Sequence, residues 1–147
     1  MDQPLSDLLR HKGSHVSHVS PESTVEDAVR RMNGERVGAL LVTCGGTIVG
    51  IFTERDLLTR VVVENRLPAE TKVGDVMTTE VVVVRPTRTV GEAMQIVSEK
   101  RVRHLPVVED GRLLGIISSG DLTRWMVAEN EGLIHSLMDY IQGTYPA

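Results

Sequence analysis

"GIFTERDL", residues 50–57, returns 65 residues later as "GIISSGDL", residues 115–122. The recurrence extends well beyond these eight positions. Val16 to Leu57 aligns without a gap on Val81 to Leu122, and 15 of the 42 positions are identical, among them Pro21/Pro86, Thr24/Thr89, Arg36/Arg101, Gly46/Gly111 and Asp56/Asp121. A fixed period with this much identity makes the chain two copies of one structural unit.

Each copy carries the same local signals. "VSHV" and "VVVV" are β-rich runs halted by Pro21 and Pro86, since proline cannot continue a central strand. Thr24 with Asp27 and Thr89 with Glu92 have capping-box spacing, and the stretches that follow place Val25, Ala28, Val29, Met32 and Val90, Ala93, Met94, Val97 on one helical face. Two apolar runs then flank Cys44-Gly45-Gly46 in the first copy and Glu109-Asp110-Gly111 in the second, which predicts a β-hairpin in each. Second helices are expected from about Glu54 and Ser119. The unit is therefore strand, helix, strand, strand, helix, with a right-handed crossover between its first two strands. One such unit is too small to be stable by itself, so the two are expected to pack about a pseudo-twofold axis.

"PLSDLL" precedes the first copy and a similar "KVGDVM" precedes the second, with three extra residues after the first. After the second copy, Ile134, Leu137, Met138 and Ile141 repeat at helical spacing. They predict a C-terminal amphipathic helix that packs either on its own domain or on a second subunit. The expected organisation is 1–66 for the first repeat with its lead-in, 67–128 for linker and second repeat, and 129–147 for the terminal helix and tail.

Composition narrows the function. With 41% hydrophobic and 24% charged residues the chain is ordinary for a soluble domain, whereas 3% aromatic residues leave the core to Val, Leu, Ile, Ala and Met. A net charge of -4 argues against non-specific nucleic-acid binding. The single Cys44 has no disulfide partner, and neither a signal segment nor a membrane span is read, so a reducing cytoplasmic setting is expected. His11, His15 and His18 form an H-x3-H-x2-H series, but no cysteine or carboxylate stands in register, and no metal site is expected. No nucleophile, base and oxyanion donor come together, which speaks against an enzyme.

Thr53/Asp56 and Ser118/Asp121 follow directly on the last strand of a hairpin. Three apart, they fit a capping box; at a strand end beside a helix N-terminus they also fit a ligand wall. The residues alone leave both readings open. Lys100, Arg101, Arg103 and His104 form a basic cluster, and Arg103 and His104 replace Gly38 and Ala39 of the first copy. Such a divergence suits one cleft specialised for an anion.

The tandem βαββα units, "TVEDAVRRM" followed by "RVGALLV", and the pair "GIFTERDL" and "GIISSGDL" closely resemble a pair of cystathionine-β-synthase-type (CBS) domains, a Bateman module, here as a stand-alone CBS-pair protein. The resemblance covers about Leu5 to Ala128. It implies binding of AMP, ADP, ATP, NAD(H) or S-adenosylmethionine in two clefts between the repeats, with no catalytic cofactor, in a homodimer that regulates another protein. The first cleft would use Ser14, Val37, Gly38, Ala39, Ile51, Thr53, Arg55 and Asp56, with Arg103 and His104 from the opposite repeat on the phosphates. A second, weaker cleft would use Thr79, Val102, Ile116, Ser118 and Asp121. The rival reading is a ligand-free interaction module in which both Thr/Ser-x-x-Asp pairs are only caps.

Overall fold

The computed structural model describes residues 1–13 and 15–130. The expected C-terminal helix, with Ile134, Leu137, Met138 and Ile141, lies outside the described residues. The chain divides into two units, His15–Val82 and Met1–Ser14 with Val83–Ala147. The dividing line does not follow the copies: the lead-in to the first copy folds with the second, and the lead-in to the second folds with the first.

In the unit His15–Val82, strand β1 (His18–Val19) runs parallel to β2 (Ala39–Cys44), which pairs antiparallel with β3 (Thr47–Thr53). Helix α2 (Val25–Glu35) makes the crossover. Its N-cap Thr24 accepts from the Asp27 backbone at 3.1 Å, and its C-cap Arg36 is left-handed. Gly45 and Gly46 both have positive φ, which is what a two-residue hairpin turn of the favoured twist demands. Helix α3 begins as a single α turn (Glu54–Asp56) and continues as a wider π-helical segment (Leu57–Val62). In that segment Val63 N–H reaches back five residues to the Leu58 carbonyl at 3.0 Å. The β-branched run Val61–Val63 accompanies the widening, as does the Thr59 hydroxyl, which donates to the Arg55 carbonyl. After a 3₁₀ turn (Pro68–Glu70), the short helix α4 (Val73–Val76) packs back on the sheet. The core is Val19, Val25, Ala28, Met32, Leu40, Val42, Phe52, Val61, Val73 and Val76.

The other unit repeats the plan. Helix α1 (Leu5–Lys12) takes the place of α4, and α5 (Val90–Lys100) ends on left-handed Arg101 as α2 ends on Arg36. The hairpin β4 (His104–Glu109) and β5 (Arg112–Ser118) turns on Asp110 and Gly111, both at positive φ, and shifts register between Val107 and Val108, where β2 shifts between Val42 and Thr43. Helix α6 (Ser119–Glu129) follows without a π segment. Leu105, Val107, Ile117 and Leu122 are buried at the positions of Leu40, Val42, Phe52 and Leu57.

The first strand of each copy is shorter than expected. "VSHV" yields only β1, and "VVVV" yields a single bridge, Val84 against Val107, closed by bonds of 3.0 and 2.8 Å. The strand position costs little to lose because Pro86 follows closely and Val84 alone of the four is buried. Among the described residues no helix is long and apolar enough to cross a membrane.

Each lead-in presses a side chain against a strand glycine. A Cβ on Gly50 would stand 2.6 Å from Met77 Sδ and 2.8 Å from the Thr78 carbonyl oxygen; the three heavy atoms nearest to one on Gly115 all belong to the Leu9 side chain, the first at 2.7 Å. A leucine end can rotate and a backbone carbonyl cannot. Gly50→Ala should therefore cost about 2 kcal/mol in urea unfolding, and Gly115→Ala less than about 1 kcal/mol. Equal losses would contradict this account of the two lead-ins.

Candidate functional site

Both Thr/Ser-x-x-Asp pairs are capping boxes. Thr53 N–H donates to Asp56 Oδ2 at 3.0 Å, and Asp56 N–H donates to Thr53 Oγ1 at 3.2 Å. Ser118 N–H donates to Asp121 Oδ2 at 2.8 Å, and Asp121 N–H returns to Ser118 Oγ at 3.0 Å. A third bond belongs to each junction. Glu54 N–H donates to the Gly38 carbonyl at 3.1 Å, and Ser119 N–H to the Arg103 carbonyl at 2.8 Å. The main chain before the middle strand thus caps the helix in both copies, whatever side chain stands there.

The two carboxylates differ in what else they hold. Asp56 is only 3% exposed. Its Oδ2 also accepts from the Thr53 hydroxyl at 3.1 Å, and its Oδ1 accepts from the Thr78 hydroxyl at 2.9 Å, with Arg60 Nε at 3.7 Å. Its close side-chain donors are therefore neutral hydroxyls, which can rotate toward another acceptor. Asp121 is held by cations: Lys12 Nζ reaches Oδ2 at 2.5 Å and Arg124 Nη2 reaches Oδ1 at 2.5 Å. Burial pushes the Asp121 carboxyl up, but the hydrogen bonds from Lys12 and Ser118 and the charge of Lys12 outweigh it and hold the group below its ordinary value. A groove of about 600 Å³ runs beside Asp121, lined along α1 by Leu8, His11 and Lys12 and along α6 by Arg124, Trp125 and Ala128.

The remaining candidates fall as follows. Ala39 and Ile51 are buried, Gly38 is half-buried and Val37 exposed. Ile51 exchanges backbone bonds of 2.9 Å with Thr78 in both directions, closing the free edge of β3. Arg55 is exposed on the first turn of α3. Val102, Ile116 and Ser118 are half-buried and Thr79 is exposed. Arg103 and His104 enter β4, with His104 opposite Ser118 as Ala39 is opposite Thr53. They belong to one unit and Asp56 to the other. Ser14 lies outside the described residues.

The histidines of the H-x3-H-x2-H series go separate ways. His11 stacks edge-on against Trp125 at 5.1 Å, His15 lies 3.3 Å from Glu35, and His18 lies 3.3 Å from the Thr43 hydroxyl. Among the described residues no three His, Cys, Asp or Glu side chains are grouped to hold a metal. Sequence reading missed four groups that the structure puts on the carboxylates: Thr78, Arg60, Lys12 and Arg124. Arg60 and Arg124 carried a signal, standing four and three residues after the aspartates on one helical face. Thr78 and Lys12 carried none, because each lies in a lead-in whose partner repeat the sequence does not reveal.

The comparisons agree with this architecture. The family model of the CBS domain matches residues 5–63 and 73–128. The mitochondrial CBS domain-containing protein CBSX3 of Arabidopsis thaliana is 39% identical over 96% of this chain and 73% of its own. The crystal structure of the CBS-domain containing protein ATU1752 from Agrobacterium tumefaciens superposes with a TM-score of 0.81 at 37% identity, over 84% of this chain and 99% of that one. The CBS domain pair of MJ0100, in complex with 5′-methylthioadenosine and S-adenosyl-L-methionine, shares the fold at a TM-score of 0.77 and 20% identity, over 88% and 99% of the two chains. With two matched copies, a duplicated capping box at each strand-to-helix junction and a relative of the same kind matched over most of its length, this chain belongs to the CBS-domain family as a tandem CBS pair.

Proposed function

We propose that this CBS pair is a regulatory module that binds an adenosyl ligand, of the AMP, ADP, ATP or NAD(H) type, and passes its occupancy to a partner protein without catalysing a reaction. The observation that carries this reading is the Asp56 carboxylate. It is fixed by its own capping box at a strand end, yet its outer oxygen is held by the rotatable Thr78 hydroxyl at 2.9 Å and a long contact to Arg60. Vicinal ribose hydroxyls are donors of the kind such an oxygen accepts, and the helix N-terminus beside it favours phosphate. MJ0100, which shares the fold, holds two adenosyl ligands, and this supports the ligand class. Asp121 is the weaker of the pair because two cations already hold it. The charge divergence at Arg103 and His104 supports a preference for ligands that carry phosphate.

Occupancy matters to a partner only if the ligand binds two states of the protein differently. Association of two copies supplies a means of transmission. Leu58, Val62, Val63 and Leu67 are each more than half exposed along the π segment and the chain after it. An apolar row of this kind suits a self-complementary twofold interface.

A thermal-shift series with AMP, ATP, NADH and S-adenosylmethionine should raise Tm with at least one of them, by mass action on the native state. No shift at millimolar concentration would leave the ligand-free interaction module as the better reading. In calorimetry with the responding nucleotide, Asp56→Asn should remove the tighter event and Asp121→Asn should spare it; equal losses would refute the ranking of the two sites. For association, Leu58→Glu with Val62→Glu should yield a monomer by light scattering where the parent protein is a dimer, and an unchanged mass would exclude this face.

A further inference from the structure

We propose that Lys12 is a built-in occupant of the second repeat's site, a latch that an incoming ligand dislodges, so that filling this site releases the last turn of α1. The proposal rests on the adenosyl-ligand reading and adds to it how the second site is regulated.

The two lead-ins perform one task with different groups. After α4 the chain continues through Met77, which packs on Gly50, to Thr78. Thr78 donates its N–H to the Ile51 carbonyl at 2.9 Å and its hydroxyl to Asp56 Oδ1 at 2.9 Å. In the other unit Leu9 occupies the place of Met77, against Gly115. The chain does not then turn along the strand, because α1 continues to Lys12 and closes on Gly13, whose N–H reaches the Leu9 carbonyl at 2.8 Å. The strand edge and the carboxylate are met by a side chain instead. Lys12 Nζ donates to the Ile116 carbonyl at 2.5 Å and to Asp121 Oδ2 at 2.5 Å. Ile116 and Asp121 are the counterparts of Ile51 and Asp56. One ammonium group thus replaces a backbone N–H and a hydroxyl.

The replacement changes what the site can do. Thr78 is tied by main-chain bonds in both directions and cannot leave without opening the sheet edge. Lys12 ends a flexible four-carbon stem and its ammonium hydrates strongly, so it can exchange its two acceptors for water. It is partly exposed already, and it lines the same 600 Å³ groove as Asp121. A ligand that donates to the Asp121 carboxylate competes directly with it, and the site's apparent affinity falls by the fraction of molecules in which the latch is open. Once dislodged, Lys12 no longer ties the end of α1 to β5 and α6.

Two measurements decide the matter. In calorimetric titration with AMP, Lys12→Met should tighten the weaker event by about tenfold or more, as expected when a charge-assisted competitor is removed, and leave the Asp56 event unchanged. Lys12→Arg, which keeps a cation on the carboxylate, should bind as the parent does. A weaker or unaltered second event in Lys12→Met overturns the proposal, since Lys12 would then grip the ligand or take no part. In ligand-free protein, Asp121→Asn should raise amide hydrogen exchange several-fold from Leu9 to Gly13. Unchanged exchange there overturns the latch as well. If AMP binds to no variant while Asp121→Asn loosens α1, the latch stands and the adenosyl reading fails.

Discussion

A carboxylate withdrawn from water at the end of a strand must be given donors, and the rest of each unit is arranged to supply them. The first comes from the turn itself: in the capping box the backbone N–H of Thr53 or Ser118 donates to the carboxylate, and the aspartate's own N–H donates back to the hydroxyl. Those bonds leave the outer oxygen unsatisfied, and an unpaired buried charge is far more costly than any single packing defect. On Asp56 the missing donor arrives on a segment remote in sequence, Thr78, 22 residues on; on Asp121 the outer oxygen is met by Arg124 of the same helix, while Lys12, 109 residues back, joins the Ser118 N–H on Oδ2. That demand explains why a lead-in is part of each folded unit, packed against its strand glycine and closing the sheet edge.

Much of the plan was legible in the residues. The constant offset between Val16–Leu57 and Val81–Leu122, the threonines placed three before acidic residues, and the paired turn residues Gly45-Gly46 and Asp110-Gly111 each carry local physics that survives folding. The extent of the first strands was not legible. β-propensity describes a fit to a pleated surface, and at 81–84 that surface is offered to Val84 alone. Nor could the π-helical segment be foreseen, since Leu57–Val62 has the same apolar spacing as an ordinary helix and differs only in how its carbonyls are shared.

The site was half readable for a related reason. Thr53, Asp56, Ser118 and Asp121 are bound to one another across three residues, a range over which sequence spacing and spatial distance agree. Thr78 and Lys12 act across a distance set by the fold. The two lead-ins look alike as strings, yet three additional residues send one along the strand as backbone and keep the other helical until a lysine side chain comes into reach. A small difference in length has changed the chemical nature of the group on the carboxylate.

The carbonyl at positions 38 and 103 has a wider consequence. It anchors the following helix through Glu54 or Ser119 with the main chain alone, so selection for a stable fold places little constraint on the side chain attached to it. A duplicated gene can therefore carry glycine at one copy and arginine at the other without reworking the scaffold. Main chain and side chain of one residue are thereby free to serve separate ends, which gives a repeated domain a way to vary its surface chemistry at this point while its architecture stays fixed.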